Sequence, residues 1–398
     1  MRVVDIAVIG AGAAGLLLAD ELTRPGGRTP PSVALLDLPR DHPRRPPART
    51  WCFWEGAAGR FDGLLAGSWD SAGIVSPDGR LTRHPLNPLR YKMVRSPDVE
   101  TWLDARPGGA AHLTRVTGPA RDVADGPSGA VVAVDGPHGP LEVGARWVFD
   151  SRPRPPRPDA RTTLRQHFRG WFVEADRPSF DPRLPLLMDF RVPQPPAGLA
   201  FGYVLPTSER HALVEYTVFS RDPWPAQAYD LALRDYLAQA LDVGSYRVAG
   251  VEHGVVPMTD ATFPREQSRH VFRIGTAGGA TRPATGYTFT AALRQARAVA
   301  RAVELGARPV PPRPHRRRHL AMDAVLLRAI DTGRIGPAFF TGLFRRNRAA
   351  SVLRFLDGDS GPLDELAIGL RCPLAPMLRT CLDLPARRPR GSSTDGPP

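Results

Sequence analysis

Three glycines and one aspartate open the chain at a spacing that suits one ligand chemistry. Gly10, Gly12 and Gly15 form a Gly-x-Gly-x-x-Gly run, and Asp37 follows about 20 positions later, where a ribose-binding acid is expected. In such a run the first glycine permits a tight turn and the second lets backbone approach a pyrophosphate. The third lets helix and strand pack closely, the pyrophosphate sits at the positive helix end, and the acid accepts from a ribose diol. A second glycine-rich stretch carries Gly275, Gly278, Thr285, Gly286 and Tyr287 just before an alanine-rich run. Either its helix start presents free N–H groups to the same ligand, or it is a mere turn. The last candidate is chemically different. Glu215 shares one strand face with Leu213 and Thr217, while Val214 and Tyr216 take the other. It points to solvent or into a cavity; apolar Leu213 and Phe219 on its own face, and Phe201 and Tyr203 on the preceding strand, favour the cavity. Burial there raises its pKa, and a carboxyl still protonated near neutrality can serve as an acid.

The elements that must position these residues are legible in outline. Val4 to Ile9 reads as a strand, Leu16 to Leu22 as a helix ending near Arg24, and Val33 to Leu36 as a second strand closing on Asp37. That is a dinucleotide unit or, failing a ligand, an ordinary α/β crossover. Leu38 to Arg49 is a Pro/Arg loop that delivers Trp51, Phe53 and Trp54, either core packing or the lining of a flat apolar ligand. Ser96 to Leu103 reads as a helix capped by Ser96. Strands follow at Val131 to Val134 and Leu141 to Asp150, and Pro153 to Pro158 marks a crossing. Gly170 to Glu174, Leu186 to Arg191, Leu199 to Leu205 and His211 to Phe219 spell an antiparallel sheet. Tyr229 to Leu241 is helical, Val248 to Val256 a strand, and Thr290 to Leu305 a long helix, with short helices to about Leu384. The fold class is therefore α/β (α+β): a Rossmann-like nucleotide domain, an antiparallel-sheet substrate domain and a helical C-terminal segment. The expected divisions are 1–155 with a substrate-domain excursion near 75–100, 156–265, a return segment 266–310, 315–385, and a disordered tail 386–398.

Composition narrows the partners. The 398 residues carry a net charge of +13 and 42% hydrophobic residues, a globular balance, and Lys92 is the only lysine. No zinc-finger spacing, RNA-binding aromatic motif or metal-ligand spacing occurs, so neither nucleic acid nor metal is expected. Cys52, Cys372 and Cys381 are odd in number and unpaired in spacing, which suits a reducing cytoplasm. A strand at the very start argues against a signal peptide, and no apolar run approaches the ~18 residues of a spanning helix. A membrane would be met from the side. Phe339, Phe340, Leu343 and Phe344 share a helical face before Arg345, Arg346 and Arg348, which reads as an apolar wedge with a basic collar or as core.

With these pieces placed, the chain resembles the flavin-dependent lycopene cyclases of bacteria and plants from Asp5 to about Leu384. The resemblance rests on Gly10-x-Gly12-x-x-Gly15, Arg49-Thr50-Trp51-x-Phe53, Asp150-x-Arg152, Met188-Asp189, Leu205-Pro206, Val214-Glu215-x-Thr217, Pro257-Met258 and Pro283-x-Thr285-Gly286-Tyr287. It implies an FAD-binding domain, with Arg49 added to the cofactor-binding residues. It also implies reduced FAD with NAD(P)H as electron donor, and a carotenoid substrate taken from the membrane by a peripheral cytoplasmic enzyme. The implied reaction is a non-redox isomerisation of the ψ-ends of lycopene to β-rings, by way of γ-carotene to β-carotene. Glu215 is the catalytic position; it donates the first proton, or it stabilises the cation and takes the departing proton while reduced flavin donates. Trp51, Phe53, Trp54, Tyr203, Tyr216 and Tyr287 are candidate aromatic partners of the cation or plain core. Asp189 assists Glu215 or bonds only to backbone. Tyr216 fills a slot often acidic in relatives, so the motif offers one carboxylate where some have two. Pro153 stands where a glycine is common. The competing readings are a flavin-dependent reductase or hydroxylase of another isoprenoid or aromatic, and a non-enzymatic flavoprotein.

Overall fold

The apolar run after Met1 forms β1 (Arg2–Ile9), whose Ile6, Ala7, Val8 and Ile9 are buried on both faces, as a central parallel strand must be. The computed structural model describes residues 1–24, 29–106, 111–153 and 159–384. Most of the expected crossing at 153–158, the boundary at 155/156 and the tail from 386 lie outside the described residues.

β1 pairs in parallel with β2 (Val33–Asp37) and β11 (Gly139–Asp150). β8 (Leu113–Thr117) extends the sheet beyond β2, and β10 (Ala130–Gly136) and β9 (Ala120–Asp125) continue it antiparallel beyond β11. β17 (Val271–Arg273) returns to pair with β11. α1 (Ala13–Leu22) connects β1 to β2, and α4 (Phe289–Glu304) packs beside it in one apolar cluster. A small sheet of β3 (Thr50–Glu55), β7 (Arg90–Arg95) and β4 (Leu65–Trp69) comes next, with β7 in the middle.

The third sheet is larger than the sequence suggests. Its order is β16 (Tyr246–Thr259), β12 (Thr163–Ala175), β15 (His211–Ser220), β14 (Leu199–Pro206), β13 (Leu186–Asp189), β5 (Ser71–Val75) and β6 (Leu81–Pro85). All neighbours are antiparallel except β5 and β13, which run parallel. One face is covered by α3 (Ala226–Asp235) and the turn after it, packed on Val214, Tyr216 and Trp171. The other face carries Leu213, Phe219 and Phe201, which join the C-terminal helices in one core. Those helices are α5 (Arg317–Asp331), α6 (Pro337–Arg346), α7 (Ala349–Asp357), α8 (Pro362–Arg371) and α9 (Leu374–Leu382).

Two local expectations are corrected. Ser96 does not cap its helix; it is the first residue of α2 (Ser96–Ala105), and its hydroxyl accepts the Arg49 N–H at 2.9 Å. The wedge of α6 is core: Phe339, Phe340, Leu343 and Phe344 are all buried, with Phe340 against Phe190 and Phe344 against His84. An apolar stripe on one helix face cannot by itself say whether protein or lipid covers it, and here the large sheet does. A run of exposed leucines lies further on, at Leu363, Leu366 and Leu370 of α8 and Leu378 and Leu382 of α9. Among the described residues no helix is long and apolar enough to cross a membrane.

Candidate active site

The two glycine-rich stretches meet. Gly12 is the N-cap of α1, and a Cβ built there would touch nothing within 4 Å, so the protein leaves room at that helix start. At Gly15 the case is opposite: a Cβ would lie 1.9 Å from the Gly10 carbonyl oxygen, so only glycine lets helix and turn close. A Cβ on Gly275 would lie 2.7 Å from the Cβ of Ala14, which brings the returning segment onto the same helix start. Gly278 sits in the short 3-10 turn that follows Gly275. Asp37, at the end of β2, accepts the Ala11 N–H at 3.4 Å and is also gripped by Arg45 at 2.5 Å. Thr285 reaches the Leu356 carbonyl of α7, and Gly286 runs against Gln166 of β12. Gln166 Oε1 is buried there with no hydrogen-bond partner among the described residues.

Glu215 lies elsewhere, mid-strand in β15. Facing it across the ladder are Tyr203 of β14 on one side and Gly170 of β12 on the other, and beyond Gly170 stands Glu252 of β16. Directly opposed residues share a face, so Tyr203, Glu215, Gly170 and Glu252 form one row on the inner face of the sheet. Both acids are buried, at 7% and 4% exposure. Gly170 lets them meet, since a Cβ there would lie 2.7 Å from Glu215 Cγ. The Glu215 carboxyl is held well above the usual carboxylate range, first by burial, then by the charge of Glu252 and the hydrogen bond to it. Glu252 also accepts from Thr50 Oγ1 at 2.8 Å, and the Arg49 guanidinium faces it, its own pKa lowered by burial against the opposing pull of Glu252. Arg49 thus comes to the acid pair, a neighbour that the sequence did not reveal. Nor did the sequence single out Glu252: the second carboxylate missing at Tyr216 is supplied from another strand.

The aromatic candidates divide by strand alternation. On β3, Trp51 and Phe53 face the nucleotide half, where Phe53 stacks on Phe289 at 4.7 Å. Cys52 and Trp54 face the large sheet, where Trp54 meets Tyr287 edge-on at 4.6 Å and the Tyr91 ring at 6.1 Å. Tyr91 and Tyr203 join hydroxyls at 2.6 Å. Burial pushes the Cys52 thiol up to about 12 and raises the Tyr203 and Tyr287 phenols, so all three stay neutral. Cys52, Tyr203 and Tyr287 are half-buried and pack against the apolar core between the large sheet and the C-terminal helices. Tyr216 does not belong to it; it lies on the opposite face against Trp224. Asp189 is on that opposite face too, bonded to Arg191 and to Tyr236 Oη at 2.8 Å.

Known proteins agree with this architecture. The profile of the family described as "Lycopene cyclase protein" matches residues 5–382. The chain belongs to the lycopene cyclase family. No curated protein sequence is significantly similar to it. Among solved structures it is similar to a flavoprotein/dehydrogenase from Cytophaga hutchinsonii at 13% identity, covering 96% of this chain and 100% of that one, with a TM-score of 0.60. It is also similar to a geranylgeranyl bacteriochlorophyll reductase-like protein from Thermoplasma acidophilum (14% identity, 96% and 97% coverage, TM-score 0.57). A third is p-nitrophenol 4-monooxygenase from Pseudomonas putida (16%, 96% and 98%, TM-score 0.55). At such identities the likeness is one of fold, a Rossmann-like flavoprotein fold. Among the described residues no group of three or more His, Cys, Asp and Glu is placed to hold a metal ion.

Proposed function

We propose that the chain is an FAD-dependent lycopene β-cyclase, converting the ψ-ends of lycopene through γ-carotene to β-carotene. The observation that carries this reading is a buried carboxyl, Glu215, held well above the usual carboxylate range beside Tyr203 and Glu252 on the inner face of the sheet, in a chain of the lycopene cyclase family. The glycine loops fit FAD: Gly10, Gly12 and Gly15 would admit its pyrophosphate to the start of α1, and Asp37 its ribose. Gly275, Gly278, Thr285, Gly286 and Tyr287 would close over it, with Gln166 Oε1 as an acceptor for a ring N–H. When bound in its reduced form, FAD would supply an electron-rich ring, with NAD(P)H as the electron source. The rest falls to the chain's own residues. Glu215 gives its proton to the terminal double bond, and the faces of Trp54, Tyr203 and Tyr287 steady the tertiary cation. The neighbouring double bond closes the ring, and a ring proton leaves to a carboxylate. One proton enters and one departs, so no net redox change occurs.

The substrate is a C40 hydrocarbon, so peripheral attachment to the cytoplasmic membrane is part of the proposal. The exposed leucines of α8 and α9, flanked by exposed Arg371 and Arg379, are the face we assign to an anionic bilayer. Flotation with anionic vesicles reads it: Leu366→Ser with Leu370→Ser should lower binding, and unchanged binding would overturn the assignment. The reaction is tested by expression in cells that accumulate lycopene. β-Carotene is expected; lycopene left unchanged, or a reduced or hydroxylated pigment, would overturn the reading. Bound FAD is tested by the flavin spectrum, which Gly12→Val should abolish while leaving the fold intact, since the new side chain meets only the space left open.

A further inference from the structure

We propose that Glu252 is the second half of a one-proton carboxyl pair with Glu215, and that it returns the proton taken from the ring to the donor oxygen. The inference rests on the cyclase reading for its chemistry, but the pair itself stands on geometry. Three antiparallel strands bring Glu215 and Glu252 into one row, and the residue between them is the one that has no side chain, Gly170. Glycine inside a strand marks a close approach, here of two acids that hydrogen-bond across it. Two carboxyls in such contact share a single proton, because like charges held this close and buried cannot both ionise.

The surroundings decide which member carries the proton. Thr50 Oγ1 donates to Glu252, and the Arg49 cation interacts with it, so Glu252 is the accepting member of the pair and Glu215 the donor. Around Glu215 the other titratable groups are Cys52 from β3 and Tyr203 from β14, both neutral near pH 7, and Tyr91 and Tyr287 lie beyond them. Among these groups Glu215 is the carboxyl whose proton is held by burial and by a neighbouring acid. In the reaction a C–H bond forms at the expense of the Glu215 O–H, leaving two carboxylates beside Arg49. After ring closure, a ring C–H breaks and its proton passes to the pair, with its electrons forming the new ring double bond. The hydrogen bond between the acids lets the proton settle again on Glu215. Nothing external is consumed, so the site is ready for the second end of the substrate without exchange with solvent. Glu252 is thus a catalytic member of the pair: it receives the ring proton and hands it to Glu215.

Replacing Glu252 removes a like charge from Glu215, so Glu215 should lose its proton at lower pH. In Glu252→Gln, the alkaline limb of the cyclisation profile should therefore move down by at least about one pH unit, the coupling expected of such pairs. Gly170→Ala keeps both acids but drives Glu215 Cγ aside, and should move the limb in the same direction. An activity-independent reading comes from the infrared band of a protonated carboxyl in the purified flavoprotein. That band should be present near neutral pH, vanish in Glu215→Gln, and titrate away at lower pH in Glu252→Gln. A limb and band that both stay in place in Glu252→Gln would overturn the pair and leave burial alone holding the proton. A protein that shows the band and its shift but makes no cyclic carotenoid would instead overturn the proposed reaction.

Discussion

Glu215 and Asp189 lie two strands apart in one sheet, both buried, yet they face opposite sides and meet opposite company. Asp189 has no exposure, and its two oxygens are taken by Arg191 and by Tyr236 Oη, which lets a full charge sit in the core. Glu215 meets another acid instead of a base. The Arg49 guanidinium is turned to the pair, and it stands beside Glu252. The same sheet thus keeps one carboxylate as a strut and one carboxyl as a proton store. Burial alone does not tell a catalytic acid from a structural one. What separates them is whether the fold supplies the opposite charge.

The comparison breaks most sharply at Glu215. The nearly isosteric Glu215→Gln should lose cyclisation by at least ~100-fold while keeping its flavin spectrum and fold, a typical contribution of acid–base assistance. Activity close to the parent's would strip Glu215 of its role. Asp189→Asn should do the reverse. It leaves Arg191 and Tyr236 without their charged partner and should lower stability by about 2 kcal/mol, roughly 30-fold in the folding equilibrium, with the folded fraction still active. Denaturant titration beside pigment analysis separates the two outcomes; an inactive but fully stable Asn variant would erase the distinction.

A third test uses pH. The folded-state pKa of Glu215 is raised above its unfolded value, so the folded protein holds that proton more tightly. Its contribution to stability is present below the ordinary carboxylate range near 4.3 and is lost as pH rises through the raised folded value. Parent protein should therefore lose stability relative to Glu215→Gln over that climb, and parallel melting curves across it would contradict the assignment. The smallest effect is expected at Tyr203→Phe. It removes one hydroxyl bond to Tyr91, worth about 1 kcal/mol, and should slow turnover by less than about 10-fold. A collapse of activity there would make the phenol, not the acid pair, the proton source.

Much of this fold is legible in the sequence. The glycine spacing, the βαβ unit and the alternation that turns Glu215 inward are local patterns, set within a dozen or so residues. Glu252 is not legible there, and the reason is specific. On β16 the buried acid alternates with Val251 and Val255, which are 43% and 50% exposed, so the usual rule of apolar in and polar out runs backwards. β16 lies at the sheet edge, and its outward valines stay open to solvent there. The one sequence hint is Gly170, a glycine in the middle of a strand, where a close approach is the usual reason. The α6 phenylalanines mislead for a related reason: their stripe is real, but its partner, the large sheet, is built from segments far away in the chain.

β3 is the wall between the two halves, and its alternation has a consequence for variation. Trp51 and Phe53 pack on the nucleotide side, while Cys52 and Trp54 pack on the large-sheet side, so neighbouring positions answer to different requirements. Inserting or deleting one residue in this strand would exchange the two sets and spoil both sides at once. Libraries aimed at a different polyene length or ring type should therefore vary 52 and 54 together and leave 51 and 53 alone, holding the strand's length fixed.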